Sequence, residues 1–186
     1  MQKINIFLFF ISTFSAFGQI ILPIDKNSGK AIFTEIIPLD SVSAENLYNR
    51  ARIFVSNNYR SSKTETDVLD EKSSTIIINA HIITHFKAWA GGEFPAGGFN
   101  YTLKIYCKEN RYKYEISNFI HTGEYDNVNR SSGGAIENDK PDCGTMSITK
   151  KQWNYIKQDC ITNITKLSED LKVAMSNKSE IEKKDW

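Results

Sequence analysis

The chain carries almost no imbalance of charge: 23 Lys and Arg stand against 22 Asp and Glu in 186 residues, a formal net charge of +1. A protein that holds nucleic acid through its phosphates needs a clustered excess of cations, so no nucleic-acid partner is expected. Cysteine is scarce and odd in number: Cys107, Cys143 and Cys160. No Cys-x-x-Cys spacing is present, which removes the usual structural zinc sites, and at least one thiol has no partner within the chain. Histidine is limited to His81, His85 and His121. No apolar run reaches the roughly 20 residues that a membrane-spanning helix requires. No internal repeat is visible. From so small a set of reactive side chains, neither a metal nor a cofactor is expected.

What is present begins at the N terminus. Lys3 supplies one positive charge, Ile4 to Phe14 is almost wholly apolar, and Ser15-Ala16-Phe17-Gly18 sets small residues before Gln19. That order is the secretory signal pattern. Residues 1–18 are therefore expected to be removed, leaving a protein exported to the periplasm or beyond the cell, with no transmembrane segment. The remaining 168 residues carry 22 basic and 22 acidic side chains. They suit one domain, expected over 19–176, followed by a charged tail at 177–186.

Along that domain the periodicity changes twice. Leu22 to Asp25 and Ala31 to Pro38 read as short strands, the second at an edge because of Pro38. Ser43 is a good N-cap, and Leu47, Tyr48, Ala51, Phe54, Val55 and Tyr59 then share one helical face. Thr64 to Leu69 reads as a peripheral strand. Thr75 to Phe86 alternates strictly, with Ile76, Ile78, Ala80, Ile82, Thr84 and Phe86 on one side. Gly91 to Gly98 reads as a glycine-rich loop. Phe99 to Cys107 and Tyr112 to Ile120 alternate on either side of a tight turn at Glu109-Asn110. With those two residues as the loop, Leu103 faces Ile116, Ile105 faces Tyr114, and Lys104 meets Glu115 on the other surface. Asn129 to Gly144 is poor in apolar residues and reads as an exposed loop. Thr149 and Gln152 form a capping box, Ile148 and Trp153 a hydrophobic staple, and Trp153, Ile156, Cys160, Ile164, Leu167, Leu171 and Ala174 trace a helical stripe over 149–176. The order strand, strand, helix, four strands, helix implies an α+β fold, an antiparallel sheet with two helices on one face. Cys107 and Cys160 both fall on core positions and are expected to approach one another.

Three segments carry a family likeness. Ile24 to Ile37, with Gly29-Lys30 in its turn and Phe33-Thr34-Glu35, resembles the opening of a domain of unknown function found in secreted and envelope proteins of Bacteroidetes, whose fold is like that of the TATA-box-binding protein. Ser43 to Ala51, with Leu47-Tyr48-Asn49-Arg50-Ala51, resembles its helix start, and Lys108 to Tyr114 its hairpin. The likeness spans residues 22–121. Where the family carries glycines, this chain has Ser73-Ser74 and Asn110, which puts the turn types in question rather than the fold. The resemblance implies a TBP-like architecture and brings no catalytic residues with it.

Candidate chemistry is thin. His81 and His85 on one strand lie about 13 Å apart, too far to share a metal. Asp67, Asp70 and Glu71 form an acidic cluster at a turn, with no sign of the cleft that acid–base work requires. The expected function is accordingly that of a non-enzymatic binding module for a protein, glycan or lipid. Its contact surface is the solvent face of the sheet, more apolar than a purely solvated face needs to be, and the aromatic 89–99 loop, represented by Trp89, Phe94, His81, Tyr106 and Phe119. The alternative is a secreted hydrolase using His121 with Cys143 or an acidic residue such as Asp142. Export is checked by intact mass: protein recovered from the envelope or medium should begin at Gln19, and an unprocessed chain confined to the cytoplasm would overturn the signal assignment.

Overall fold

Register, more than element order, decides which side chains this protein buries. The structure is a computed structural model that describes residues 22–59, 65–87, 91–123, 131–178 and 182, with the side chains of 65–68 left aside. The expected signal segment, 1–18, lies outside the described residues. The elements run β1 (Phe33–Pro38), α1 (Ala44–Asn58), β2 (Glu65–Asp70), β3 (Thr75–Lys87), β4 (Glu93–Lys108), β5 (Arg111–Thr122), β6 (Gly134–Ala135) and α2 (Lys150–Ser176). All strand pairs are antiparallel, in the order β1-β5-β4-β3-β2, with the short β6 beside β5. The expected first strand, Leu22 to Asp25, shrinks to one bridge between Ile24 and Ala31, because the Asp25 side chain closes a turn by accepting the Ser28 N–H.

Both helices pack on the same side of the sheet. Ser43 caps α1 by accepting the Asn46 N–H at 3.2 Å, and Leu47, Tyr48, Ala51, Phe54 and Val55 are buried as the spacing predicts. Thr149 and Gln152 form the reciprocal capping box of α2, and the stripe Trp153, Ile156, Cys160, Ile164, Leu171 is buried to 2% exposure or less. Against them lie Ile76 and Ile78 of β3, Leu103 and Ile105 of β4, and Ile116 of β5, all fully buried. The β4–β5 hairpin has the register read from sequence, with Leu103 opposite Ile116, Ile105 opposite Tyr114 and Lys104 opposite Glu115. At the two turns where the resembling family carries glycine, Ser74 (φ 47°) and Asn110 (φ 62°) adopt left-handed backbone. Asn110 is held there by the 39–42 segment: it donates its N–H to Val42 O and accepts from the Leu39 and Ser41 N–H groups.

Two bulges alter the expected pattern. In β5, Thr102 pairs with Ser117 but Asn100 pairs with Ile120, so Tyr101 faces two residues, Asn118 and Phe119. Asn118 takes the left-handed angle (φ 60°) that this extra residue requires. Beyond it every side chain changes face. Phe119, expected on the open surface, is 1% exposed in the core, while Ile120, expected inside, is 46% exposed. In β4, Ile83 pairs with Gly98 but His85 with Pro95, which places the extra residue at Gly97 (φ 76°). The glycine-rich stretch is therefore strand from Glu93 onward. A Cβ on Gly97 would collide with the Thr122 carbonyl oxygen of β5, so the glycine permits close backbone approach inside the sheet.

The 129–144 segment is also not simply an exposed loop. From 131 on it is stitched down by β6, by fully buried Ile136, by Glu137 accepting the Ala31 N–H at 2.6 Å, and by the Asn138 carbonyl accepting from Trp153 Nε1 and Lys157 Nζ. The charged tail returns to the body at Glu182, which accepts from Arg50 through both oxygens, at 2.8 and 2.6 Å; the Arg50 guanidinium is otherwise buried and donates to Met175 O. Cys107 and Cys160 are buried free thiols. They do not pair with one another or with Cys143, so the expected approach of the two forms no disulfide. The β5 bulge is tested at its own backbone. Asn118→Val should cost about 1–2 kcal/mol in urea unfolding because a β-branched residue resists positive φ, whereas Asn118→Gly should be neutral or better; equal losses would contradict the left-handed assignment.

Candidate functional site

The face of the sheet away from the helices is organised in rows, because directly paired residues point the same way. Nearest the β4–β5 turn lie Lys108 and Arg111. The next row is Asp70, Thr75, Tyr106, Lys113 and Ile36, contributed in order by β2, β3, β4, β5 and β1. Behind it come Ile77, Lys104, Glu115 and Thr34, then Asn79, Thr102 and Ser117, then His81, Asn100 and Ile120. Gly98 and Ile83 close the far end.

The middle of this face is a polar seam. Thr102 Oγ1 donates to Asn79 Oδ1 at 2.8 Å, and Asn118 Nδ2 donates to Thr102 at 3.4 Å. At the far end the His81 ring lies over Gly98, where a Cβ would strike it, with Nδ1 2.9 Å from Asn100 Oδ1. At the turn end Ile36, Tyr106, Lys108, Arg111, Tyr112 and Lys113 line a depression of about 460 Å³. Glu115 lies 3.4 Å from Lys104 and 3.6 Å from Lys113. Three aliphatic side chains stand out on this face: Ile36 (63% exposed), Ile83 (47%) and Ile120 (46%).

The sequence-derived contact residues divide four ways. His81 and Tyr106 lie on the open face as expected. Phe94 is 51% exposed but sits on the helix side, opposite Phe86 with ring centroids 6.0 Å apart, because the Gly97 bulge reverses its direction. Phe119 is in the core, edge-on to Phe33 and stacked with Tyr101. Trp89 lies outside the described residues. Sequence reading missed Ile36 and Lys113 as members of one surface. Their neighbourhood depends on β1 pairing with β5 across 80 residues of chain, which no local pattern reports.

His121, the alternative's base, has no nitrogen to spare. It is 1% exposed, Nε2–H donates to the Ala96 carbonyl at 2.7 Å, and Nδ1 accepts the Gly133 N–H at 2.9 Å. Its ring is edge-on to Phe99 (5.1 Å) and Trp153 (5.5 Å). Asp142 instead accepts from Asn138 Nδ2, and Cys143 Sγ points to its neighbour's carbonyl. The hydrolase arrangement is therefore not assembled: His121 is a strut joining β4, β5 and the 131–148 segment. Of the acidic cluster, Asp70 caps its own turn by accepting the Lys72 and Ser73 N–H groups, and the Asp67 side chain lies outside the described residues. Among the described residues no group of three or more His, Cys, Asp or Glu could hold a metal ion, and no helix is long and apolar enough to cross a membrane.

Residues 33–122 match a family described as a domain of unknown function (DUF4468) with TBP-like fold. The structure is similar to a TBP-like protein from Parabacteroides distasonis, with a TM-score of 0.65 and 15% identity over 83% of this chain and 98% of that one. It is similar also to a DUF4468 family protein from Bacteroides ovatus, with a TM-score of 0.63 and 15% identity over 83% of this chain and 91% of that one. No curated protein matches the sequence. At this identity the likeness speaks for the fold alone: an α+β, TBP-like arrangement, with six antiparallel strands and two helices among the described residues.

Burial pushes the His121 pKa below its ordinary 6.5. The unfolded chain then takes up a proton before the folded one does, so stability is intact above about pH 6.5 and falls as pH drops below it toward the native value. Urea unfolding from pH 7.5 to 5 should show this loss. His121→Gln should start about 1–3 kcal/mol less stable and lose that part of the slope; a slope unchanged by the substitution would show that His121 is not the titrating group.

Proposed function

Taking the TBP-like fold as premise, we propose that this protein is an exported binding module, without catalysis of its own, that takes a protein, glycan or lipid partner on the open face of its sheet. Fold by itself does not supply function, so the reading rests on the surface. What carries it is the set of outward aliphatic side chains, Ile36 in the row of half-buried Tyr106 at the turn end and Ile83 and Ile120 at the far end, on a face that neither α1 nor α2 covers. Apolar side chains gathered on one uncovered face suit a contact surface better than a purely solvated one. The near-balance of charge speaks against a nucleic-acid partner, and the N-terminal pattern supports export. The contact surface differs from that expected of the 89–99 segment, since Phe94 faces the other way.

The test compares two faces of one molecule. Ile83→Glu with Ile120→Glu places charge on the open face, whereas Val173→Glu places it on the exposed side of α2, where Val173 is 61% exposed. All three positions are exposed, so melting temperatures should move little. A partner crosslinked in envelope extract should be lost with the open-face pair and kept with Val173→Glu. Retention by the pair, with loss on Phe94→Ala, would move the contact to the helix side and sink the proposal.

A further inference from the structure

We propose that the turn end of the open face is a subsite for an acidic sugar, its ring laid on Tyr106 and its carboxylate held by Arg111 and Lys108. This deepens the binding reading above and rests on it.

Charge on this protein is segregated where its total is not. Lys108, Arg111, Lys113 and Lys104 stand on three adjacent rows of one face; of the described carboxylates on those rows, Glu115 sits among them and Asp70 lies at the β2 edge, where it accepts the Lys72 and Ser73 N–H groups of its own turn. Glu115 is already shared by Lys104 and Lys113. Glu109, the carboxylate of the turn itself, is directed away and accepts the Ala44 N–H at the start of α1, at 3.0 Å. Lys108 and Arg111 thus have no carboxylate within ion-pairing distance among the described residues, and they flank the mouth of the 460 Å³ depression. Two paired cations whose charge is unspent at the rim of a concavity complement an anion. A guanidinium and an ammonium side by side suit a carboxylate, the first through two parallel hydrogen bonds and the second as a point charge.

The rest of the depression selects the remainder of the ligand. Tyr106 is half-buried and stands between Thr75 and Lys113 in its row, so its ring has polar neighbours on either side. A pyranose has one apolar C–H face to lie on such a ring and hydroxyls at its edge for the threonine and lysine. A single-stranded nucleic acid is held by successive stacked bases, whereas Tyr106 is the one phenyl or indole-type ring among the described residues of this face. A membrane surface asks for several apolar side chains entering the headgroup region, and Ile36 is the single strongly exposed aliphatic residue at this end. The volume lies within the range of small-ligand sites.

The experiment is calorimetric titration of the purified protein with tetragalacturonate, its methyl ester, oligothymidylate and phosphatidylglycerol vesicles. Tetragalacturonate should bind, more weakly as salt rises, and the uncharged ester should bind at least about tenfold more weakly. Lys108→Gln with Arg111→Gln should lower affinity about tenfold or more, as should Tyr106→Ala, while Tyr106→Phe and the α2 surface control Lys151→Gln should leave it unchanged. Absence of tetragalacturonate binding, equal binding of the ester, tighter binding of oligothymidylate or vesicles, or no effect of the Lys108/Arg111 pair would each overturn the assignment. Since Ile83 and Ile120 lie at the opposite end of the face, their effect on the crosslinked partner separates failure of this subsite from failure of the broader reading.

Discussion

One residue too many in β5 governs the far half of this molecule. With Asn118 in left-handed backbone opposite Tyr101, the strand continues with its faces exchanged, and Phe119 and His121 turn under the helices. There they complete a cluster in which Phe99 stacks on Trp153 at 5.9 Å and His121 stands edge-on to both. The anchor of α2 depends on that cluster, because Trp153 lies in the first turns of the helix, fully buried, and is the side chain against which Gly133 packs. Aromatic contacts of this kind contribute beyond the area they bury. Without the bulge, an aliphatic Ile120 would occupy the core and His121 would stand in water.

The same device shapes the surface. Gly97 in β4 and Asn118 in β5 each insert a residue, and each moves an aromatic ring away from the open face, Phe94 to the helix side and Phe119 to the core. What stays outward is a polar seam with aliphatic side chains at its margins and cations at one end. His121 shows how readily a histidine between a cysteine-bearing loop and a strand suggests catalysis. Two backbone hydrogen bonds and a dry aromatic setting account for it as structure.

Much of the architecture was legible. The capping box at Thr149 and Gln152, the N-cap at Ser43, the two helical stripes and the near half of the hairpin register all followed from local periodicity and short-range pairing, and all are present. The candidate surface was half legible. His81 and Tyr106 lie before any shift of register, whereas Phe94 and Phe119 lie beyond one. A bulge has a weak signature in sequence, since Asn118 and Gly97 look like any asparagine or glycine until their strands are paired. The 131–148 segment failed for a related reason: its polar composition is satisfied by hydrogen bonds to Trp153, Lys157, His121 and Ala31, partners remote or unmarked in the chain.

Periodicity and capping are properties of neighbouring residues, so the chain by itself determined its α+β class, its two helices, and which side of β3 and of the turn-proximal hairpin would be greasy. Which residues share the open face was decided only on folding. That depends on β1 crossing the sheet edge to pair with β5 and on two extra residues reversing the faces of β4 and β5. Both are long-range pairings, and a period of two carries no memory of a residue inserted between them.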